Sequence, residues 1–99
     1  MWILRTVGEG EPETVLRIVP GGVRTLGRAT GADFSIDAAL VSRIHCRLTA
    51  TPNGGLEVRD LDSTNGTFVN GKRIQTAQLE SGDRIQVGRV ELVAVRDEE

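Results

Sequence analysis

The 99-residue chain carries one cysteine, one histidine and one lysine. A lone Cys46 excludes an internal disulfide and fits a reducing compartment, so the cytoplasm is the expected location. One histidine and one cysteine fall short of a zinc ligand set unless carboxylates complete it, so neither a metal nor another cofactor is expected. No apolar run approaches the ~20 residues that cross a bilayer. The N-terminal Met-Trp-Ile-Leu-Arg-Thr lacks the basic flank, apolar centre and cleavage site of a secretory signal, and no membrane association is expected. There is no basic excess either. A net charge of −2 argues against general nucleic-acid binding, which needs phosphate neutralisation by many Lys and Arg side chains. Walker and kinase signatures are missing, as are internal repeats, linkers and any helical apolar stripe.

Catalysis finds little support in what remains. His45 and Cys46 are adjacent, but neighbours on a strand point to opposite faces and cannot form a nucleophile–base pair. Asp60 and Asp62 share a strand-end face at i, i+2, yet nothing in the sequence supplies a substrate pocket for them. The expectation is a non-enzymatic protein.

The composition is that of a soluble globular chain, 38% hydrophobic with nearly balanced charge, and its length predicts a single domain over residues 1–99 with a core over about 2–95. Short segments of β-branched and aliphatic residues, separated by Gly, Pro, Asn and Asp, predict strands at 2–7, 14–19, 23–27, 34–36, 45–51, 56–61, 67–69, 72–74, 84–87 and 90–95. Between the first two, residues 8–12 read as an acidic turn. In 14–19, Val15 and Val19 alternate with Leu16 and Ile18, which gives both faces apolar side chains. About ten short strands with closely spaced turns imply an all-β sandwich or barrel.

Residues 60–71, D-L-D-S-T-N-G-T-F-V-N-G, are the most informative stretch. Asn65-Gly66 and Asn70-Gly71 are turn signals, the second of the kind that closes a two-residue hairpin. Ser63, Thr64 and Asn65 therefore sit on a loop tip fixed at both ends, which suits recognition of a polar ligand. Other polar candidates fall at strand ends. Arg28 leaves the strand ending at Gly27 and offers a permanently charged fork that matches phosphate or carboxylate. Ser42, ahead of the next strand, offers a hydroxyl beside backbone N–H groups that can close around an anion. From Leu16 to Arg73 eight basic side chains face five acidic ones, a local charge of +3 within an acidic protein. Among these, Arg47, Lys72 and Arg73 are read as solvated strand faces, the alternative being a rim that shapes preference for flanking acidic residues.

Four motifs occur in register: Gly27-Arg28; Ser42-Arg43-Ile44-His45; Ser63-Thr64-Asn65-Gly66-Thr67 with Asn70-Gly71; and Leu79-Glu80-Ser81-Gly82-Asp83-Arg84-Ile85 followed by Gly88. Together they resemble the forkhead-associated (FHA) domain, and the resemblance covers nearly the whole chain. It implies an FHA-type β-sandwich of about eleven mostly antiparallel strands whose loops at one end bind phosphothreonine peptides. The partner so implied is a phosphothreonine-containing protein marked by a Ser/Thr kinase.

Carried over by position, the resemblance gives Arg28, Ser42, Arg43 and Thr64 to the phosphate and Asn65 to the peptide backbone. Gly27, His45 and Gly66 become supports of the site, with His45 bracing the Ser42 and 63–65 loops. The alternative is a phosphate-independent interaction scaffold.

Overall fold

The computed structural model describes residues 1–8 and 14–97 and forms eleven strands. They are β1 Trp2–Val7, β2 Val15–Ile18, β3 Val23–Gly27, β4 Phe34–Ser35, β5 Cys46–Ala50, β6 Leu56–Asp60, β7 Thr67–Val69, β8 Lys72–Ile74, β9 Thr76–Leu79, β10 Arg84–Val87 and β11 Val90–Arg96. Two sheets result, in the orders β2-β1-β11-β10-β7-β8 and β4-β3-β5-β6-β9. All pairings are antiparallel except the two-residue contact of β3 with β4. The architecture is thus the expected all-β sandwich. The acidic turn expected at 8–12 lies, apart from Gly8, outside the described residues.

Period-two alternation builds the core. In β5 the sequence C-R-L-T-A buries Cys46, Leu48 and Ala50 and leaves Arg47 and Thr49 on the outer face; in β6 Leu56, Val58 and Asp60 turn inward while Glu57 and Arg59 turn out. Leu4, Leu48, Leu56, Val58, Val87 and Leu92 are fully buried in one cluster between the sheets. At roughly 25 cal/mol per Å² of apolar surface removed from water, this cluster is the main stabilising contribution.

The strand absent from the residue-level reading is β9, whose T-A-Q-L contains no β-branched residue after Thr76. It forms because Ala77 and Leu79 alternate inward against Val58 and Leu56 of β6. A second difference concerns β2. Only Leu16 and Ile18 are buried, and Val19, beyond the strand end, is 54% exposed, because β2 is an edge strand packed on one face.

The register fixes where the loops gather. Leu26 at the end of β3 pairs with Cys46 at the start of β5, and Cys46 pairs with Asp60 at the end of β6. In the other sheet Val87 of β10 pairs with both Thr67 and Val90. The β3–β4, β4–β5, β6–β7 and β10–β11 connections therefore share one end of the sandwich. Among the described residues no helix is long and apolar enough to cross a membrane.

Candidate functional site

At this end the β6–β7 loop folds around a carboxylate. Asp60, 8% exposed, accepts hydrogen bonds from the Ser63 backbone N–H (3.2 Å), from the Ser63 hydroxyl, and from Thr67 Oγ1 (2.7 Å). Ser63 Oγ in turn accepts from the Gly66 N–H at 3.0 Å. Burial pushes the Asp60 carboxyl upward, but the hydrogen bonds from Ser63 and Thr67 outweigh it and hold the group below its ordinary range. Asp60 does not share a face with Asp62 as the i, i+2 spacing predicts. Asp62 lies past the strand end in a left-handed conformation (φ 55°) and is exposed, while Asp60 turns inward.

His45 joins this loop to the next. It sits one residue before β5 and is fully buried. Its Nδ1 accepts the Ser42 backbone N–H at 3.0 Å, so in the neutral ring Nε2 carries the proton and donates to the Gly66 carbonyl at 2.8 Å. The ring thus ties the backbone at Ser42 to that at Gly66. His45 precedes the strand rather than lying on it, and both side chains are buried in different surroundings: the imidazole bonds the Ser42 and Gly66 backbone and the thiol packs in the core. Burial and the nearby Asp60 charge push the Cys46 thiol up to about 12, which removes thiolate chemistry near neutral pH.

Ser42 is the hinge between the braced loop and the surface. Its Oγ accepts the Thr64 backbone N–H at 3.0 Å, which leaves the hydroxyl proton for an incoming acceptor. Arg28 donates from Nε to the Val41 carbonyl at 3.1 Å, one of its five donors, and has no ion pair among the described residues. Four terminal N–H groups of an exposed guanidinium thus remain, on a side chain anchored at Val41, the residue before Ser42. The Arg28 backbone is itself locked, its N–H donating to the Ser42 carbonyl at 2.9 Å and that of Ala29 to the Arg43 carbonyl at 3.0 Å. The side chain of Arg43 is exposed, as is that of Thr64. Asn65 Nδ2 donates to the Leu40 carbonyl at 3.0 Å, which leaves Oδ1 as its remaining polar atom.

Close backbone packing explains Gly27. A Cβ there would overlap the Arg43 carbonyl and lie 2.9 Å from Ile44 Cα, backbone atoms that cannot swing aside. Gly27→Ala is expected to cost about 1–3 kcal/mol by overpacking, and denaturant unfolding would read it; unchanged stability would remove Gly27 from the supports. Gly66 is required for conformation instead, at φ 87°.

Of the residues assigned from sequence, Arg28, Ser42, Thr64 and Asn65 are brought together through the Val41, Leu40 and Ser42 contacts, and Gly27, His45 and Gly66 lie directly behind them. Asp60, Ser63 and Thr67 were missed as organisers. The usable signal was an acid three residues ahead of a serine at a strand end, the spacing at which an Asp side chain caps a turn. A groove lined by Trp2, Thr51, Gly54, Leu79 and Ser81 opens at the other end of the sandwich, away from these loops. Among the described residues no cluster of His, Cys, Asp or Glu could hold a metal.

The FHA domain family model matches residues 24–88, which contain every one of these site residues. The chain is 50% identical over 74 residues to the ABC transporter ATP-binding/permease protein Rv1747 of Mycobacterium tuberculosis, a match covering 75% of this chain and 8% of that protein. It is 38% identical over 71 residues to the oxoglutarate dehydrogenase inhibitor of Corynebacterium diphtheriae, covering 72% of this chain and 49% of that one. The chain thus spans half or less of these relatives. A domain solved in a structural and functional analysis of phosphothreonine-dependent FHA interactions superposes with a TM-score of 0.85 at 30% identity, covering 99% of this chain and 98% of the other. Sequence, sheet order and loop chemistry converge: the chain belongs to the FHA domain family.

Proposed function

We infer that residues 1–99 act as one phosphothreonine-reading module, which docks a phosphorylated segment of a partner protein across the β3–β4, β4–β5 and β6–β7 loops. One observation carries this reading. Arg28 is held by a single side-chain hydrogen bond to the carbonyl of Val41, which leaves its remaining N–H donors free, and the following residue, Ser42, has a hydroxyl that has already accepted its one internal bond. A dianionic phosphate with three acceptor oxygens suits that donor set. Each hydrogen bond to a charged group contributes roughly 1.5–3 kcal/mol, so three or four approach the ~8 kcal/mol of micromolar binding before ordering costs.

The roles follow from position. Arg28 and Ser42 hold phosphate oxygens, with Arg43 and the Thr64 hydroxyl at the rim, and Asn65 Oδ1 accepts a peptide N–H to keep the ligand extended. The module binds and does not catalyse: both His45 nitrogens are committed, and the Cys46 thiol is buried and protonated. A phosphate-independent scaffold would need none of the Arg28, Ser42, Thr64 and Asn65 arrangement. The lone buried cysteine and the acidic overall charge accord with a cytoplasmic setting and a protein ligand.

Calorimetric titration with a degenerate phosphothreonine peptide pool and its unphosphorylated counterpart tests the reading. Saturable heat is expected from the phosphorylated pool alone, and equal binding of both pools would leave only the scaffold. Within one peptide, phosphothreonine should exceed phosphoserine by about fourfold, since one buried methyl is worth about 0.8 kcal/mol. Equal affinities would remove the methyl contact without touching the phosphate assignment.

A further inference from the structure

On the outer face of the β4-β3-β5-β6-β9 sheet two arginines stand directly opposite each other. Arg47 of β5 pairs with Arg59 of β6, flanked by Thr25 of β3 and Thr76 of β9 in the same row. Directly opposed residues have Cβ atoms about 4.5–5.5 Å apart, and like charges so placed are destabilising. Among the described residues neither guanidinium has a hydrogen-bond or ion-pair partner. The nearby carboxylates of Glu57, Asp33 and Asp60 each have another hydrogen-bond partner. Glu57 accepts from Gln78 Nε2 (3.3 Å), Asp33 from the Thr25 N–H (2.8 Å), and Asp60 turns to the inner side toward Ser63 and Thr67. Asp62 stands at the rim, and Asp60 borders the same depression with its carboxylate committed to Ser63 and Thr67. The pair opens into a surface depression of about 470 Å³ that it shares with Asp60, Leu61, Asp62 and Gln75.

Two unpaired forks in one row carry two positive charges. A carboxylate answers with one charge and two oxygens, whereas a phosphoryl group presents about two charges and three oxygens. Thr25, opposite Arg47, lies three residues before Arg28, or about 10 Å of extended chain at roughly 3.3 Å per residue. We propose that Arg47 and Arg59 form a second anion site that binds a second phosphoryl group on the same partner segment, about three to five residues from the phosphothreonine. The proposal rests on Arg28 and Ser42 being the phosphothreonine site. The unliganded pair is electrostatically frustrated, and a dianion between the forks relieves that repulsion.

The test is a calorimetric series of one peptide carrying phosphothreonine alone, phosphothreonine with a second phosphoserine two to six residues to either side, or phosphothreonine with glutamate at those places. Each is titrated into the wild type and into the doubly substituted R47Q/R59Q protein. At one spacing the doubly phosphorylated peptide should bind at least about tenfold tighter than the singly phosphorylated one, with glutamate reproducing little of the gain. In R47Q/R59Q the gain should vanish while affinity for the singly phosphorylated peptide stays the same, and the substituted protein should melt no lower than the wild type. A gain that survives the double substitution, a gain equally given by glutamate, or no gain at any spacing overturns the second site and leaves the first intact. Failure of the singly phosphorylated peptide to bind the wild type overturns both.

Discussion

Arg28→Ala is expected to reduce affinity for a phosphothreonine peptide by at least about 100-fold, because two or more charge-assisted hydrogen bonds of roughly 1.5–3 kcal/mol each are lost. The fold should survive. Arg28 is exposed, its internal tie is one bond from Nε to the Val41 carbonyl, and the backbone bonds to Ser42 and Arg43 that shape the loop do not involve its side chain. Arg28→Lys separates charge from geometry. A lysine keeps the charge but cannot present a planar fork, so it should recover only part of the loss. Added salt should weaken the wild type more than the alanine variant, since the screened attraction is largely the one that variant has lost. Unchanged peptide affinity in Arg28→Ala would place the phosphate elsewhere.

The largest expected effect on stability belongs to Asp60. Removing its carboxylate in Asp60→Ala strands the Ser63 N–H, the Ser63 hydroxyl and the fully buried Thr67 hydroxyl. Buried unsatisfied donors cost about 1–3 kcal/mol each, so a loss of about 3 kcal/mol or more is expected, a large share of what a domain of this size has. Binding should weaken as well, because Ser63 holds Gly66, and Gly66 holds His45 and through it Ser42.

The same carboxylate sets an acid limit. Its folded-state pKa lies below the unfolded value of about 3.9, so its contribution is complete above that pH and is lost as the pH falls through the lower folded value. Thermal melts from pH 7 to pH 2 should therefore show a steep loss below about pH 4 that is shallower in Asp60→Asn, which has no carboxyl to titrate. Parallel acid profiles for the two proteins would contradict this role.

What the sequence made legible follows from what is local. Asn70-Gly71 needs only its own backbone, and both residues adopt left-handed φ values of 51° and 83°, as their side chains predict for a two-residue hairpin. The inward alternation of β5 and β6 is likewise written in consecutive residues. Strand β9 is different: T-A-Q-L is a poor strand by propensity and becomes one because Val58 and Leu56 supply a surface for Ala77 and Leu79. The site divides the same way. Arg28 and Ser42 could be selected by their chemistry and their places at strand ends. That Arg28 is tied to Val41, that Ser42 Oγ accepts from Thr64, and that Asn65 reaches Leu40 depend on loops 13 to 25 residues apart meeting across the sandwich end.

Asp60 was misplaced for a related reason. Its spacing from Asp62 assumes that the strand continues, whereas the left-handed turn at Asp62 ends it.

Whether these loops or the opposite groove receive the phosphorylated segment can be read from amide and arginine Nε–H chemical shifts on titration with a phosphothreonine peptide. Saturable shifts are expected at the Arg28 Nε–H and at the amides of Ala29, Ser42, Arg43, Thr64 and Asn65, with Gly54 and Ser81 at the far end unmoved. Shifts centred on Trp2, Gly54 and Ser81, or none that saturate, would contradict binding at these loops.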